Sequence, residues 1–274
     1  MRLLVAAALG AAGLFPSTVR QTGEQLALRA VRFYRADHHR TRVTAFLEIP
    51  YAVVDSSGSA YQVAFRITDS IGATVGAEAW KATVPAQRHP GPCVVETVEF
   101  LVSSGRYRLE ATVKNVVTGR ESRSAIDLEA FDRQPTASDL LLSPAIRLAS
   151  AGDTVPQPGE LRRGGALVTA AALPRLGPTR TTAHYLLEVY SAGEKDDAGT
   201  MSVWVEDGAG GVPLRWRPVP VQVRPGGSTL HGHVSLVGLA PGRYSLVVSV
   251  DLAGRTDQRR AEFVMEGENN PGEQ

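Results

Sequence analysis

The sharpest chemical signal in the chain is a pair of histidines two positions apart, His231-Gly232-His233. Residues two apart on a strand face the same side, so their imidazoles could approach one Zn²⁺ or Cu²⁺ ion. Val234 and Leu236 mark the buried face, which sends His231 and His233 to the outer one. No third ligand stands at a recognisable spacing. The expectation is therefore no metal and no cofactor, with His231 and His233 as the two residues to check.

Other groups weigh less. Asp37-His38-His39 holds two adjacent histidines, which on a strand would point apart. A solvated turn is expected there. Glu194-Lys195-Asp196-Asp197-Ala198-Gly199 offers oxygen ligands of the kind Ca²⁺ takes, with Glu206-Asp207 one strand away. It reads more simply as an exposed turn. Cys93 is the single cysteine, so no intramolecular disulfide or cysteine metal site forms, and it reads as inert at the start of the strand Val94 to Leu101. There is no Gly-x-Ser-x-Gly, His-Glu-x-x-His or Gly-x-x-x-x-Gly-Lys string. No catalytic residue is assigned, and the chain is not expected to be an enzyme.

The elements that must position these residues are strands. Gly105-Arg106-Tyr107-Arg108-Leu109-Glu110-Ala111-Thr112-Val113 returns as Gly242-Arg243-Tyr244-Ser245-Leu246-Val247-Val248-Ser249-Val250. Tyr, Leu, a small or branched residue and Val alternate in both copies, the period of a half-buried strand. In Greek-key sandwiches a Tyr early in the penultimate strand bonds back to the preceding loop, so Tyr107 and Tyr244 are structural. Tyr61 to Ile67 alternates most cleanly, and Val43 to Ile49 ends at Pro50, which cannot donate to a ladder.

Further strands read at 74–84, 94–101 and 124–130. In the second half they read at 140–142, 146–148, 183–190, 200–206, 214–223, 230–237 and 261–265. Residues 150–164, rich in Gly and Pro, read as a long loop. The expected fold class is all-β, with two tandem immunoglobulin-like, Greek-key β-sandwich domains at 24–134 and 138–266. The polar linker Asp132 to Ser138 should be open to protease, and the two domains should fold semi-independently.

A length of 274 residues fits two domains of about 100–200 residues. Net charge is +1, so nucleic acid is not expected as a partner. Lys81, Lys114 and Lys195 are the only lysines; the arginines are scattered among apolar residues. Residues 1–20 read as a signal peptide, with Arg2 before the apolar run Leu3 to Phe15, which is too short to span a bilayer. No transmembrane segment is expected in the mature chain. Residues 267–274 read as a polar, disordered tail.

The order of motifs resembles the β-sandwich region of bacterial GWxTD-domain proteins over residues 28–266. The residues that carry this are Ile49-Pro50-Tyr51, Thr68-Asp69-Ser70, Tyr107, Gly119-Arg120, Ser138-Asp139-Leu140-Leu141-Leu142, Glu188-Val189-Tyr190 and Pro241-Gly242-Arg243-Tyr244. The Gly-Trp-x-Thr-Asp string itself does not occur. The resemblance implies an exported bacterial protein and transfers no catalytic residue. The expectation is a periplasmic or secreted, non-enzymatic binding or scaffold protein of the cell envelope, its partner another envelope protein or a glycan. Trp204 and Trp216 are the exposed aromatics that could form such a protein or glycan contact. The alternatives are a carbohydrate-binding module, which needs coplanar aromatics on one sheet face or loop end, and, more remotely, a hydrolase.

Overall fold

The structure, a computed structural model, describes residues 26–54, 59–84, 93–150, 152–153, 155–157, 159–177 and 179–267. The expected signal segment, and all of the expected tail except Gly267, lie outside the described residues.

The protein is all-β, built from several antiparallel sheets in β-sandwich fashion. Its first half runs β1 (Ala27–Arg35), β2 (Arg40–Pro50), a single helical turn α1 (Tyr51–Val54), β3 (Ala60–Asp69), β4 (Thr74–Thr83), β5 (Cys93–Val102), β6 (Gly105–Asn115) and β7 (Glu121–Ala130). Its second half begins with β8 (Leu141–Ser143), β9 (Ile146–Leu148), β10 (Glu160–Arg163), β11 (Ala166–Thr169), β12 (Arg175–Leu176) and β13 (Thr182–Val189). It continues with β14 (Asp197–Asp207), β15 (Leu214–Arg215), β16 (Val219–Val223), β17 (Ser228–Ser235), β18 (Gly242–Leu252) and β19 (Arg255–Met265). Among the described residues no helix is long and apolar enough to cross a membrane.

In the first half, sheet β1-β2-β5 lies opposite sheet β4-β3-β6-β7. Alternation makes the core. Val43, Ala45, Leu47 and Ile49 of β2 meet Tyr61, Val63, Phe65 and Ile67 of β3, with Leu109, Ala111 and Val113 of β6 beside them. The second half repeats the order: β8-β13-β17 faces β14, β18 and β19, with β16 on the outer side of β14. The short β12 runs parallel to β19.

Tyr107 Oη donates to the Ser103 carbonyl at 3.0 Å, and Tyr244 Oη donates to the Ala240 carbonyl at 3.0 Å. The two sites differ in burial. Tyr107 is buried, whereas Tyr244 is half-buried and stacks on Phe263. Tyr107→Phe keeps the ring and loses one hydrogen bond, so it is expected to cost about 0.5–1.5 kcal/mol in urea unfolding. Tyr244→Phe should cost less, because water reaches its carbonyl. A Tyr107→Phe variant within about 0.3 kcal/mol of wild type would remove the stabilising role.

Four readings need correction. Part of the 150–164 loop is strand: β10 pairs with β11, Leu161 opposite Val168, and Leu161 and Arg163 are buried. Glycines on either side hid this run; Gly159 and Gly164 both take positive φ, the turn conformation that glycine adopts at little cost. Residues 214–223 are two strands, not one, broken around Arg217-Pro218 where the ladder loses a donor. β1 was not separately read, because three arginines interrupt its alternation.

The fourth correction concerns the linker. Thr136, Ala137 and Ser138 are buried. Ser138 N–H donates to the Glu188 carbonyl at 2.8 Å, and Tyr190 N–H donates to the Thr136 carbonyl at 2.9 Å. Arg259 donates to the carbonyls of Ala137 (2.8 Å) and Ser138 (3.0 Å). Phe131 lies beneath two guanidiniums, Arg32 at 4.8 Å and Arg259 at 5.9 Å. A third core joins the halves: Val31, Phe33 and Phe46 pack with Leu141, Leu161, Val168 and Leu186. Thr136 to Ser138 are enclosed and resist nicking, while Asp132 and Arg133 stay exposed, so the joint is fixed at its second half.

Candidate functional site

The candidate site is the face of β13 and β17 turned away from the second core. Along β13, Ala183, Tyr185, Leu187 and Val189 point into that core. Period two therefore places His184, Leu186 and Glu188 on the other side. The ladder sets His184 opposite His233, Leu186 opposite His231 and Glu188 opposite Thr229. Cross-strand partners share a face, so three histidines, a carboxylate and a hydroxyl form one strip. The rings of His184 and His233 lie 5.8 Å apart between centroids, inclined at 45°. Burial, and then His233, hold His184 below the usual imidazole range, so it is neutral at pH 7. His231 and His233 are exposed. Gly232 between them is required by contact: a Cβ there would meet the Tyr185 hydroxyl at 2.6 Å.

His184 was missed in the sequence. The alternation of Ala183, Tyr185, Leu187 and Val189 does show that it points outward. The β13–β17 register that sets it against His233 is not visible in a single strand.

At the Glu188 end the strip opens into a cleft of about 340 Å³ between the halves, lined by Tyr34, Arg35, Asp37, Glu188, Tyr190 and Thr229. Tyr190 Oη donates to Glu188 (2.9 Å) and accepts the Tyr34 N–H (2.7 Å). The rings of Tyr34 and Tyr190 meet edge to face at 5.9 Å. Of the Asp37-His38-His39 turn, Asp37 lines the cleft. His38 pairs with Asp37 at 3.2 Å, while His39 Nδ1 bonds the Tyr34 hydroxyl at 3.1 Å. The two rings are engaged separately.

A wider cleft of about 670 Å³, lined by Asp69, Arg106, Tyr107, Arg108, Asp127 and Glu129, opens beside the Tyr107 corner. Its charges pair with one another, Arg108 with Asp127 and Arg106 with Glu129.

The remaining candidates are structural in placement. Cys93 opens β5, and burial, with Glu48 nearby, pushes its thiol up to about 11, so it stays protonated and unreactive. Glu194 and Asp196 are exposed, while Asp197 accepts the Ser191 hydroxyl at 2.6 Å. Glu206 is occupied by Trp204 Nε1 and Arg260. Arg215 covers the Trp204 ring at 5.0 Å, Trp216 packs against the second core, and Trp80 stacks on Phe65. Glu96 accepts the Tyr61 hydroxyl (2.6 Å) and Trp80 Nε1 (3.3 Å), and burial raises its pKa. Among the described residues, no group of three or more His, Cys, Asp and Glu is gathered around one point.

No protein-family model matches the chain. No curated protein matches it either. Among solved structures it is similar to the crystal structure of red sea bream transglutaminase, at 10% identity and a TM-score of 0.29, over 90% of this chain and 32% of that one. This chain thus spans about a third of that protein's length.

Proposed function

We propose that the protein is a non-enzymatic binding or scaffold protein of the bacterial cell envelope. It consists of two tandem immunoglobulin-like sandwiches behind an export signal at 1–20, and its place is the periplasm or the exterior. The observation that carries this is the joint. A buried apolar core, two arginine clamps on the linker and a buried arginine hold the halves in one orientation. A fixed orientation makes one continuous surface of both halves, with the strip and cleft at their junction. Rigid presentation lowers the ordering cost of binding a partner. The matching strand order of the halves supports the tandem reading. The partner is another envelope protein in preference to a glycan, because the ring of Trp204 is covered by Arg215 and Trp216 is packed inward.

A photo-crosslinking residue at Thr229 or Ser235, on the strip, should give one discrete adduct in cells. The same residue at Gln62, on the outer face of β3, should give none. No adduct at any position, together with saturable binding on a glycan array, would replace this reading with the carbohydrate module. Intact mass of protein from the envelope fraction should show loss of about 15–23 residues; a full-length cytoplasmic chain would overturn export.

A further inference from the structure

We propose that His184 and His233, joined by His231, form a binding site for a divalent transition-metal ion, Zn²⁺ or Cu²⁺. The inference stands on the strip geometry and does not depend on a protein partner. His184 and His233 are directly opposed across the antiparallel β13–β17 ladder. At a metal–nitrogen distance of about 2.0–2.1 Å, two imidazoles on one ion place their centroids about 4.5–6.5 Å apart, depending on the bond angle. The observed separation is 5.8 Å. Small χ rotations therefore suffice to aim one nitrogen of each ring at a common point. Backbone movement is not needed.

The chemistry of the ligands agrees with this. Imidazole suits Zn²⁺ and Cu²⁺ far better than Ca²⁺ or Mg²⁺. Metal binding requires the neutral ring, and the two tilted rings lie close enough to take an ion between them. Among the described residues no hydrogen bond occupies a ring nitrogen of His184 or His233. The neighbour on the other side of His184 in the sheet is Ser143. Its hydroxyl is committed to the carbonyls of Ala145 and Thr169, both at 2.7 Å, so it does not compete for the ring.

The three histidines are not gathered around one point in the structure, so His231 becomes a third ligand only by swinging its side chain towards the His184–His233 pair. It lies on the same face as His233, two residues along β17, with an exposed side chain free to swing. Its cross-strand neighbour Leu186 faces the joint core, so His231 can turn towards His184 only over that leucine. The fourth position is left to water. Such a site has an open coordination position and weaker affinity than a closed structural zinc site.

The test is a calorimetric titration of the full chain with ZnCl₂ alone, with Cu²⁺ electron paramagnetic resonance as a second readout. One ion per chain is expected, and the Cu²⁺ spectrum should show coupling to two or three nitrogens. His184→Gln and His233→Gln should each weaken binding about tenfold or more, since a chelate reduced to one ring loses its effective concentration. His231→Gln should weaken it about threefold, as a flexible ligand does. His38→Gln and His39→Gln should leave it unchanged. His233 is exposed, so its variant keeps the fold even if His184→Gln does not. Binding that survives both His184→Gln and His233→Gln, or no binding at millimolar Zn²⁺, would overturn the proposal.

Discussion

Phe46→Ala is expected to lower the stability of the whole chain by about 3–5 kcal/mol and to shift both halves together. Phe46 is fully buried and lies in the third core, against residues from either side of the joint. It sits on β2, which is hydrogen-bonded to β1 on one edge and β5 on the other. A strand held on both edges cannot move in to fill the space a ring vacates. The cost therefore includes the cavity as well as the lost transfer energy.

Two tryptophans separate the halves as reporters. Trp80 stacks on Phe65 in the first core, and Trp216 packs against the second. In variants that keep one tryptophan each, the urea transitions of Trp80 and Trp216 should coincide, before and after Phe46→Ala. Transitions that separate, with only the Trp80 signal moving, would mean the halves unfold independently. The linker would then be a hinge after all.

Residues with a strong local period were legible in the sequence. β3 and β6 bury alternate residues, and Tyr107 and Tyr244 stand where the repeat puts them. β2 and β18 are buried on both faces over Val43–Leu47 and Leu246–Val248, which the alternation did not show. The outward direction of His231 and His233 follows from Val234 and Leu236 by the same period. What could not be read is pairing between distant segments. His184 comes beside His233 only through the β13–β17 register. The linker looked open because Asp132 to Ser138 is polar, yet its polar groups find partners far along the chain, in Arg259 and Glu188.

The same holds for motifs that carry no local period. Asp139 accepts from the backbone N–H and the guanidinium of Arg32, while Glu188 and Tyr190 bond at the cleft. Each stands out in the sequence as a short string, and each has its explanation in a partner on another element. Polar residues in a joint are satisfied by tertiary contacts, and one-dimensional patterns hold no trace of those.

Arg163→Ala and Arg163→Met are expected to separate charge from packing at the joint. Arg163 is 4% exposed. Its guanidinium lies 4.4 Å over the ring of Phe33 and donates to Thr44 Oγ1 and to Glu99. Its buried Nε finds no partner among the described residues. Burial, and then the neighbouring Arg42, disfavour this charge, and Glu99, with a side chain 46% exposed, returns only part of the cost. The favourable part of Arg163 is therefore largely its stem and its flat contact with Phe33. Alanine removes that contact and opens a void beside Phe33 and Thr44, a loss of about 2–4 kcal/mol. Methionine refills much of the void, adds no buried charge, and leaves Glu99 its contacts with Thr44, Arg42 and water. Its cost should stay under about 1 kcal/mol, or reverse sign. Thermal and urea unfolding of the two variants, measured side by side, decide the matter. If methionine costs as much as alanine, the ion pair with Glu99 holds the joint, and packing over Phe33 is secondary.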